Sequence, residues 1–446
     1  MGKSVLVEDH IAAYLQLLVK NKSNRVGVIV GKIGTQRDYV VKLICCPFKE
    51  SSSNDQVVDS AWVAATADEV SHMLPGGLHV MGIFAVAPMA LSKDVQNGLR
   101  QALYSTHKLL NRLQHSSLKP LLSDQLQMWT LLHVDLDSGK TLLCRQYDMN
   151  DKTCAGKPAE WKITKHATTW IVLKTLIKVN TELYINLASY NVEQQLKGCV
   201  SSYCHGVANA LVEVDGRIPT ISDLLELERA TGSAKSKKTK FMPHSKLGRT
   251  LTCQLYFANS EATDETIKEF KPLQLDHLVK LSGSIFACAY IPAKTTVMDG
   301  IKLLKADAIL SLLHRCTLLS EELQENKQNL VSYEKYISFP KRVAFTDSGK
   351  PDDFLYFDYV FPGEVIDDSV ARIKETFDTI LDPGMITDNI ELFAPVKNEN
   401  IETIIPAKEA SENHSANSEG SFPYGSLLAA GAALLSAAIA YLSLSD

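Results

Sequence analysis

The stretch from Tyr424 to Leu444 constrains this chain more than any other part of its sequence. It reads YGSLLAAGAALLSAAIAYLSL and carries no charged residue. At about 1.5 Å per residue it makes a helix of roughly 31 Å, which matches a hydrocarbon core of about 30 Å. The sequence therefore predicts one transmembrane helix, and the side chains expected to anchor it are Tyr424, Leu427, Leu428, Leu434, Leu435, Ile439, Leu442 and Leu444.

The residues on either side of this span indicate how it is inserted in the membrane. Only Ser445 and Asp446 follow it, so we expect a single-pass tail anchor that inserts after translation and leaves the preceding residues in the cytosol. Flanking basic residues are missing, which favours the endoplasmic reticulum membrane over the mitochondrial outer membrane. Residues 396–421 are rich in Ser, Asn and Glu, which predicts a disordered linker. A buried C-terminal helix is the alternative, although the span lacks a polar face.

Charge and cysteine content argue against two classes of protein, nucleic-acid-binding proteins and secreted disulfide-rich proteins. The 46 basic and 51 acidic residues give a net charge of -5, so we expect no nucleic-acid binding, which normally needs a basic excess. Nine cysteines without a regular spacing argue against a secreted disulfide framework and favour a reducing compartment. Basic residues gather in a loop over 229–249, where contact with an acidic surface and a merely solvated insertion both remain open.

The apolar pattern of residues 1–150 predicts an α/β domain of the mixed α+β kind. We expect an opening amphipathic helix and then strands and helices in alternation. The predicted helices are 4–20, 57–74 and 92–113, and the predicted strands are 25–31, 38–47, 78–88, 129–134 and 142–147. This order resembles the MPN (JAB/JAMM) domain, the fold of zinc-dependent deubiquitinases.

The resemblance to MPN domains can be tested at the residues that carry their chemistry. Active members place His-Ser-His-Pro at the end of the third strand, where two histidines and an aspartate hold zinc, and a glutamate near the first strand handles the proton of the bound water. In this sequence Ala85, Ala87 and Pro88 stand in the His-Ser-His-Pro segment, and Asn24 falls near the glutamate position. A methyl group cannot ligate zinc. The sequence therefore predicts a pseudoenzyme domain with no catalytic residue, metal or cofactor.

A second α/β region is predicted over 160–395. Two strands over 168–179 and 182–189 are expected to pair around Asn180 and Thr181, and a mostly helical stretch follows over 192–214. Later elements are strands over 251–258, 283–291, 342–345 and 354–361 and helices over 294–328 and 364–381.

The whole chain resembles one family. The segments that carry the resemblance are residues 7–15, 36–40, 59–88, 342–345 and 357–361, together with the apolar span. They are similar to the odorant-response-abnormal-four (ODR-four) homologues. This resemblance implies a tail-anchored protein of the endoplasmic reticulum that helps localise a subset of G-protein-coupled receptors. It also implies a complex with the ubiquitin-fold-modifier-specific cysteine protease, which would link the chain to ufmylation, and it assigns no catalytic residues.

Two function classes follow from the sequence. The first is a membrane-anchored, non-catalytic adaptor in which an inert MPN-like domain pairs with the protease. The alternative is a hydrolase that uses an unrecognised metal site or a Cys/His pair such as Cys204 and His205. Adjacent residues of a helix or strand point in different directions, so that pair is poorly suited to act together.

Overall fold

Apolar strands of the first part of the chain form one large sheet in the computed structural model. The strands are β1 (Ser4–Glu8), β2 (Arg25–Lys32), β3 (Arg37–Cys45), β4 (His79–Ala87), β5 (Met128–Asp135), β6 (Thr141–Asp148), β7 (Lys157–Pro158) and β8 (Glu160–Thr164). They lie in the order β7-β6-β5-β4-β2-β3-β1-β8. The pairs β1–β3, β1–β8 and β4–β5 are parallel and the others are antiparallel.

The two ends of this sheet meet through a single residue. β7 pairs with β6, β8 pairs with β1, and only Ala159 separates β7 from β8. The sheet therefore curls round toward a barrel. Inside it, the Gln146 amide of β6 donates to the buried Asp38 carboxylate of β3, and the Lys3 ammonium lies 2.6 Å from the same carboxylate. The contact between Gln146 and Asp38 joins two strands that are far apart in the sheet order.

Three helices cover this barrel. α1 (Asp9–Lys20) packs against β1, β3, β4 and β8, whereas α2 (Ser60–Met73) and α3 (Ser92–Arg112) pack against each other and against β4. The predicted helix over 4–20 is wrong in its first turn, because Ser4–Glu8 is the strand β1. Strand β1 is an inner strand of the sheet, because it pairs with β3 on one side and with β8 on the other.

A second, five-stranded sheet follows. Its strands are β9 (Trp170–Ile185), β10 (Leu211–Val214), β11 (Leu247–Tyr256), β12 (His277–Pro292) and β13 (Tyr336–Ser338), in the order β10-β11-β9-β12-β13. Helices α4 (Val192–Cys199), α5 (Ser201–Asn209) and α6 (Val297–Glu325) supply the other side of its core.

Two predictions for this second sheet are wrong. The strand pair around Asn180 is one continuous strand, since every residue of β9 from Trp170 to Ile185 faces a residue of β12 and not the other half of β9. The predicted helical stretch over 192–214 ends at Asn209, and its last residues form β10. β10 is a strand because it pairs with β11 along its whole length.

The chain then returns to the first core. The hairpin of β14 (Lys341–Phe345) and β15 (Tyr356–Val360) and the helix α7 (Ile366–Phe377) bury Val343, Phe357 and Phe377 in the same cluster as β2, β4 and α2. By internal contacts residues 1–393 form one compact unit. The domain boundary predicted near residue 150 falls inside this unit and stays a prediction.

The structure describes only part of the sequence. Among the described residues no helix is long and apolar enough to cross a membrane. The predicted linker over 396–421 and the predicted span over 424–444 lie outside the described residues. Those residues are 3–48, 58–112, 118, 121, 127–185, 191–220, 247–257, 277–293, 295–325, 336–350 and 353–392.

A turn after α2 joins the first region to the second sheet. The Gly76 amide donates to the Cys288 carbonyl at 2.9 Å, and the Tyr290 amide donates to the Gly76 carbonyl at 2.8 Å. A Cβ atom on Gly76 would lie 2.5 Å from the Leu303 carbonyl oxygen, and Gly77 has a φ of +85°. Two glycines are therefore required where α2 docks on β12 and α6.

A buried charge network holds this junction. Asp307, Ser311 and Arg315 lie on one face of α6 because they are four residues apart. Arg342 of β14 is 1% exposed, and its guanidinium donates to both Asp307 oxygens, at 2.9 and 3.0 Å. Arg315 donates to the buried Glu391 carboxylate at 2.7 Å. Every cation of the network therefore has a buried counter-charge.

Removing one partner of the central pair should destabilise the protein strongly. In Asp307→Asn the Arg342 guanidinium stays buried without its counter-charge, so we expect unfolding to become about 3 to 5 kcal/mol easier. Urea unfolding at neutral pH, with the m-value checked for constancy, measures this difference. The control is Lys302→Ala, which breaks an ion pair on the same helix whose two side chains are each 46% exposed.

The control variant should lose no more than about 1 kcal/mol, because exposed ion pairs contribute little. Equal losses of unfolding free energy in the two variants would show that the Asp307–Arg342 pair stabilises this fold no more than an exposed ion pair does.

Candidate functional site

The four positions that the sequence resemblance assigns to an MPN zinc site lie together at one end of the first sheet. Ala85 and Ala87 belong to β4, both are 0% exposed, and Pro88 follows directly. Asn24 precedes β2, whose Arg25 pairs with Val86. Asn24 is therefore the next register position beside Ala87. The structure brings together the residues that the sequence singled out.

Two polar neighbours complete this end of the sheet, and sequence reasoning missed both. His133 of β5 faces Ala85 in the parallel register, and Asp135 faces Ala87. The buried His133 ring has its Nε2 atom 3.3 Å from the Ala87 carbonyl oxygen. Burial lowers the pKa of His133, so the neutral ring is favoured. β4 and β5 pair in parallel although 40 residues separate them in the sequence, so no local sequence pattern shows that they are neighbours.

Asp135 is occupied by the turn that follows it. One carboxylate oxygen accepts from the Met89 amide at 3.1 Å, and the other accepts from the amide and hydroxyl of Ser138. The Ser138 hydrogen bond lowers the pKa of this carboxyl group. The charge of Asp135 thus stabilises the β5–β6 turn and the start of the segment after β4.

These residues do not fit a zinc ion. The two positions that the MPN resemblance assigns to imidazoles hold methyl groups, and the position that it assigns to the proton-handling glutamate holds an amide. Across the part of the chain that the structure describes, no group of three or more His, Cys, Asp or Glu side chains is arranged to hold a metal ion. The geometry at this end of the sheet is that of a packed core.

The alternative Cys/His pair is separated by its helix. Cys204 of α5 is fully buried, and burial raises the pKa of its thiol to about 12, so the thiolate is scarce at neutral pH. His205 is exposed, and its Nδ1 atom lies 2.8 Å from the Ser201 carbonyl oxygen one turn earlier. The two side chains leave the helix in different directions, and this arrangement does not activate the thiol.

Two exposed apolar side chains lie close in sequence to a hydrogen bond that links α1 to the residue after α7. The Tyr14 hydroxyl of α1 donates to the Asp378 carboxylate at 2.6 Å, directly after α7. Leu17 lies one turn beyond Tyr14 and is 51% exposed, and Ile380 lies two residues beyond Asp378 and is 84% exposed. We call Leu17 and Ile380, with their link Tyr14–Asp378, the α1–α7 surface.

The remaining predicted site residues lie mostly elsewhere. The anchor residues between Tyr424 and Leu444 are outside the described residues. Of the basic loop, the structure describes only the last residues, where Arg249 pairs with Asp215 at 2.7 Å. Residues 229–246 are outside the described ranges.

Comparison with known proteins identifies the family. The family model described as odorant response abnormal 4-like matches residues 27–387. A Mus musculus protein named "Protein odr-4 homolog" is 28% identical over 408 residues, which cover 88% of this chain and 86% of that protein. The Homo sapiens protein of the same name is 26% identical over 408 residues, with the same shares covered.

Two more distant proteins come from Caenorhabditis elegans. "Odorant response abnormal protein 4" is 21% identical over 359 residues, covering 76% of this chain and 67% of that protein. The solved structure titled "Crystal structure of UfSP from C.elegans" aligns over 85% of this chain and 57% of that one, with 6% identity and a TM-score of 0.37. That score is too low to support an argument. The family match covers most of the sequence, and the chain belongs to the ODR4-like family.

Proposed function

We propose that this protein is a non-catalytic adaptor anchored in the endoplasmic reticulum membrane. In this proposal it recruits the ubiquitin-fold-modifier-specific cysteine protease to that membrane and assists the folding, trafficking or localisation of a subset of G-protein-coupled receptors. Family membership supports the receptor-related role. The ubiquitin-fold-modifier-specific protease and the membrane address come from the sequence resemblance and from the apolar span.

One observation carries the non-catalytic part of the proposal. Ala85 and Ala87 are fully buried where an active MPN domain would need zinc-binding histidines at a solvent-reachable centre. We infer that the barrel with its three helices is an MPN-like domain whose metal centre has become core. In such a domain the surface residues, and not a metal centre, would carry the function, because a fold does not by itself supply an activity.

The α1–α7 surface is the proposed contact with the protease. Leu17 and Ile380 expose apolar area near the Tyr14–Asp378 hydrogen bond, and apolar side chains are enriched at the centres of protein interfaces. Deleting residues 1–20 is a poor test of this contact, because β1 lies inside the first sheet. Surface substitutions leave the barrel intact.

The wild-type protein should contain no stoichiometric zinc and should not cleave a ubiquitin-like conjugate. Elemental analysis of the purified full-length chain and an isopeptidase assay measure the two properties. The variant with Ala85→His and Ala87→His should also be inactive, since two histidines do not complete a zinc site. Their bulk should overpack the core at β4 and lower the free energy of unfolding by about 1 to 3 kcal/mol. One zinc per wild-type chain together with cleavage would refute the pseudoenzyme assignment.

Residues 424–444 should be sufficient for membrane targeting. A reporter ending in residues 415–446 should resist carbonate extraction and localise to the endoplasmic reticulum, because this stretch is long enough to span the membrane. A matched reporter with Leu434→Lys and Leu435→Lys should stay soluble, since each lysine near the centre of the span costs about 2.5 to 3.5 kcal/mol. Mitochondrial localisation of the first reporter would contradict the proposed address.

Leu17→Glu should weaken capture of the protease from detergent extract at least roughly tenfold, because a charge would be buried at the contact. The matched control is Leu211→Glu, since Leu211 is also 51% exposed but lies on β10 of the second sheet. Quantitative pull-down of the full-length chain measures both. Equal capture by the wild type and Leu17→Glu would locate the contact away from the α1–α7 surface.

A further inference from the structure

A cavity of about 390 Å³ lies between the second sheet and the β14–β15 hairpin. β9, β11 and β12 provide one wall through Val172, Thr250 and Tyr290, and the end of β14 with its following turn provides another. Residues 385–387 close a third side. The volume falls in the range of small-molecule sites, which is roughly 300 to 1,000 Å³. The cavity is remote in sequence from Ala85 and Ala87.

Two lysines give this cavity a positive charge. Lys174 of β9 and Lys350 of the turn after β14 both line it, and none of the described lining residues is acidic. Two aspartates of the same turn already have partners: Asp347 pairs with Lys42 at 2.7 Å, and Asp353 accepts from Ser348. Within the described residues, neither lining lysine forms an ion pair. The cavity therefore holds positive charge that a ligand can neutralise.

Hydroxyl groups from three sides accompany the lysines. Thr250, Thr346 and Thr387 line the cavity. The buried Tyr290 hydroxyl accepts from the Leu355 amide at 2.9 Å, and its O–H group can also donate. A ligand with several acceptor oxygens can use these donors together with the ammonium groups.

The lining also has an apolar part. Phe345, Leu355 and Met385 contribute hydrocarbon surface. A bare inorganic ion would leave most of this volume and surface unused. The cavity thus suits a ligand that joins an anionic group to a small organic body.

We propose that this cavity binds a phosphate monoester. Lysine acts on phosphate as a point charge, whereas a planar carboxylate is matched best by the two-pronged guanidinium of arginine. The described lining has two lysines and no arginine. A phosphate group offers more acceptor oxygens than a carboxylate, which fits the surplus of hydroxyl donors. The phosphate belongs either to a soluble phosphorylated metabolite or to a phospholipid headgroup.

Calorimetric titration of the full-length chain in detergent micelles with glycerol 3-phosphate tests the soluble source. We expect saturable binding that Lys174→Gln and Lys350→Gln each weaken about tenfold, since each change removes one charge-assisted hydrogen bond to the phosphate. The matched control is Lys178→Gln. Lys178 lies four residues along β9 on the same face as Lys174, is exposed, and is not among the lining residues. Unchanged thermal unfolding establishes that each variant is folded.

Cosedimentation with phosphatidylcholine vesicles, with and without phosphatidic acid, tests the lipid source. Phosphatidic-acid-dependent binding that requires Lys174 and Lys350 supports a headgroup ligand, and binding of glycerol 3-phosphate supports a soluble one. Either result sustains the phosphate site. The proposal is overturned if neither probe binds, if Lys178→Gln weakens binding as much as Lys174→Gln, or if malate binds as tightly as glycerol 3-phosphate.

Discussion

The bidentate ion pair between Arg342 and Asp307 is the interaction on which the rest of this structure depends. Both side chains are almost fully buried. Removing two charges from water costs free energy, and their mutual attraction offsets that cost only when their remaining polar atoms are hydrogen-bonded. The surroundings meet that condition. The Arg342 guanidinium also donates to the Tyr359 hydroxyl and lies 4.0 Å from the Phe357 ring centroid, and Asp307 accepts from the Cys288 amide. The pair therefore fixes one relative position of α6, β12 and the β14–β15 hairpin.

The same network completes the outer edge of β12. β13 pairs with β12 only near its start, at Leu278 to Lys280. Farther along, the Phe286 amide donates to Glu391 at 2.6 Å, the Cys288 amide to Asp307, and the Tyr290 amide to the Gly76 carbonyl. Exposed strand edges invite pairing with other chains, and here carboxylates and a glycine turn take the place of a neighbouring strand. Glu391 thereby holds the residues that follow the turn Pro383–Met385 against β12 and α6.

Local signals in the sequence predicted most of the elements but not how they pair. Asp59 is a helix N-cap that accepts from the Ala61 and Trp62 amides, and Pro75 ends the same helix, so α2 could be predicted. β1 has only five residues before α1, and its apolar residues continue the helical pattern. Its strand identity comes from β3 and β8, which are remote in sequence. The continuity of β9 through Asn180 likewise comes from β12, because a polar pair inside a strand reads as a turn when its partner is unknown.

The residues of the candidate site likewise fall into those that the sequence could identify and those that depend on strand pairing. Ala85, Ala87 and Asn24 could be read from the sequence because a motif fixes their positions along the chain, whereas His133 and the lysines of the cavity depend on which strands meet. The structure also shows how these alanines pack. With methyl groups at positions 85 and 87, the end of β4 is buried as core. In our two proposals, the lysines that line the cavity would bind a ligand, and the exposed Leu17 and Ile380 would contact a partner.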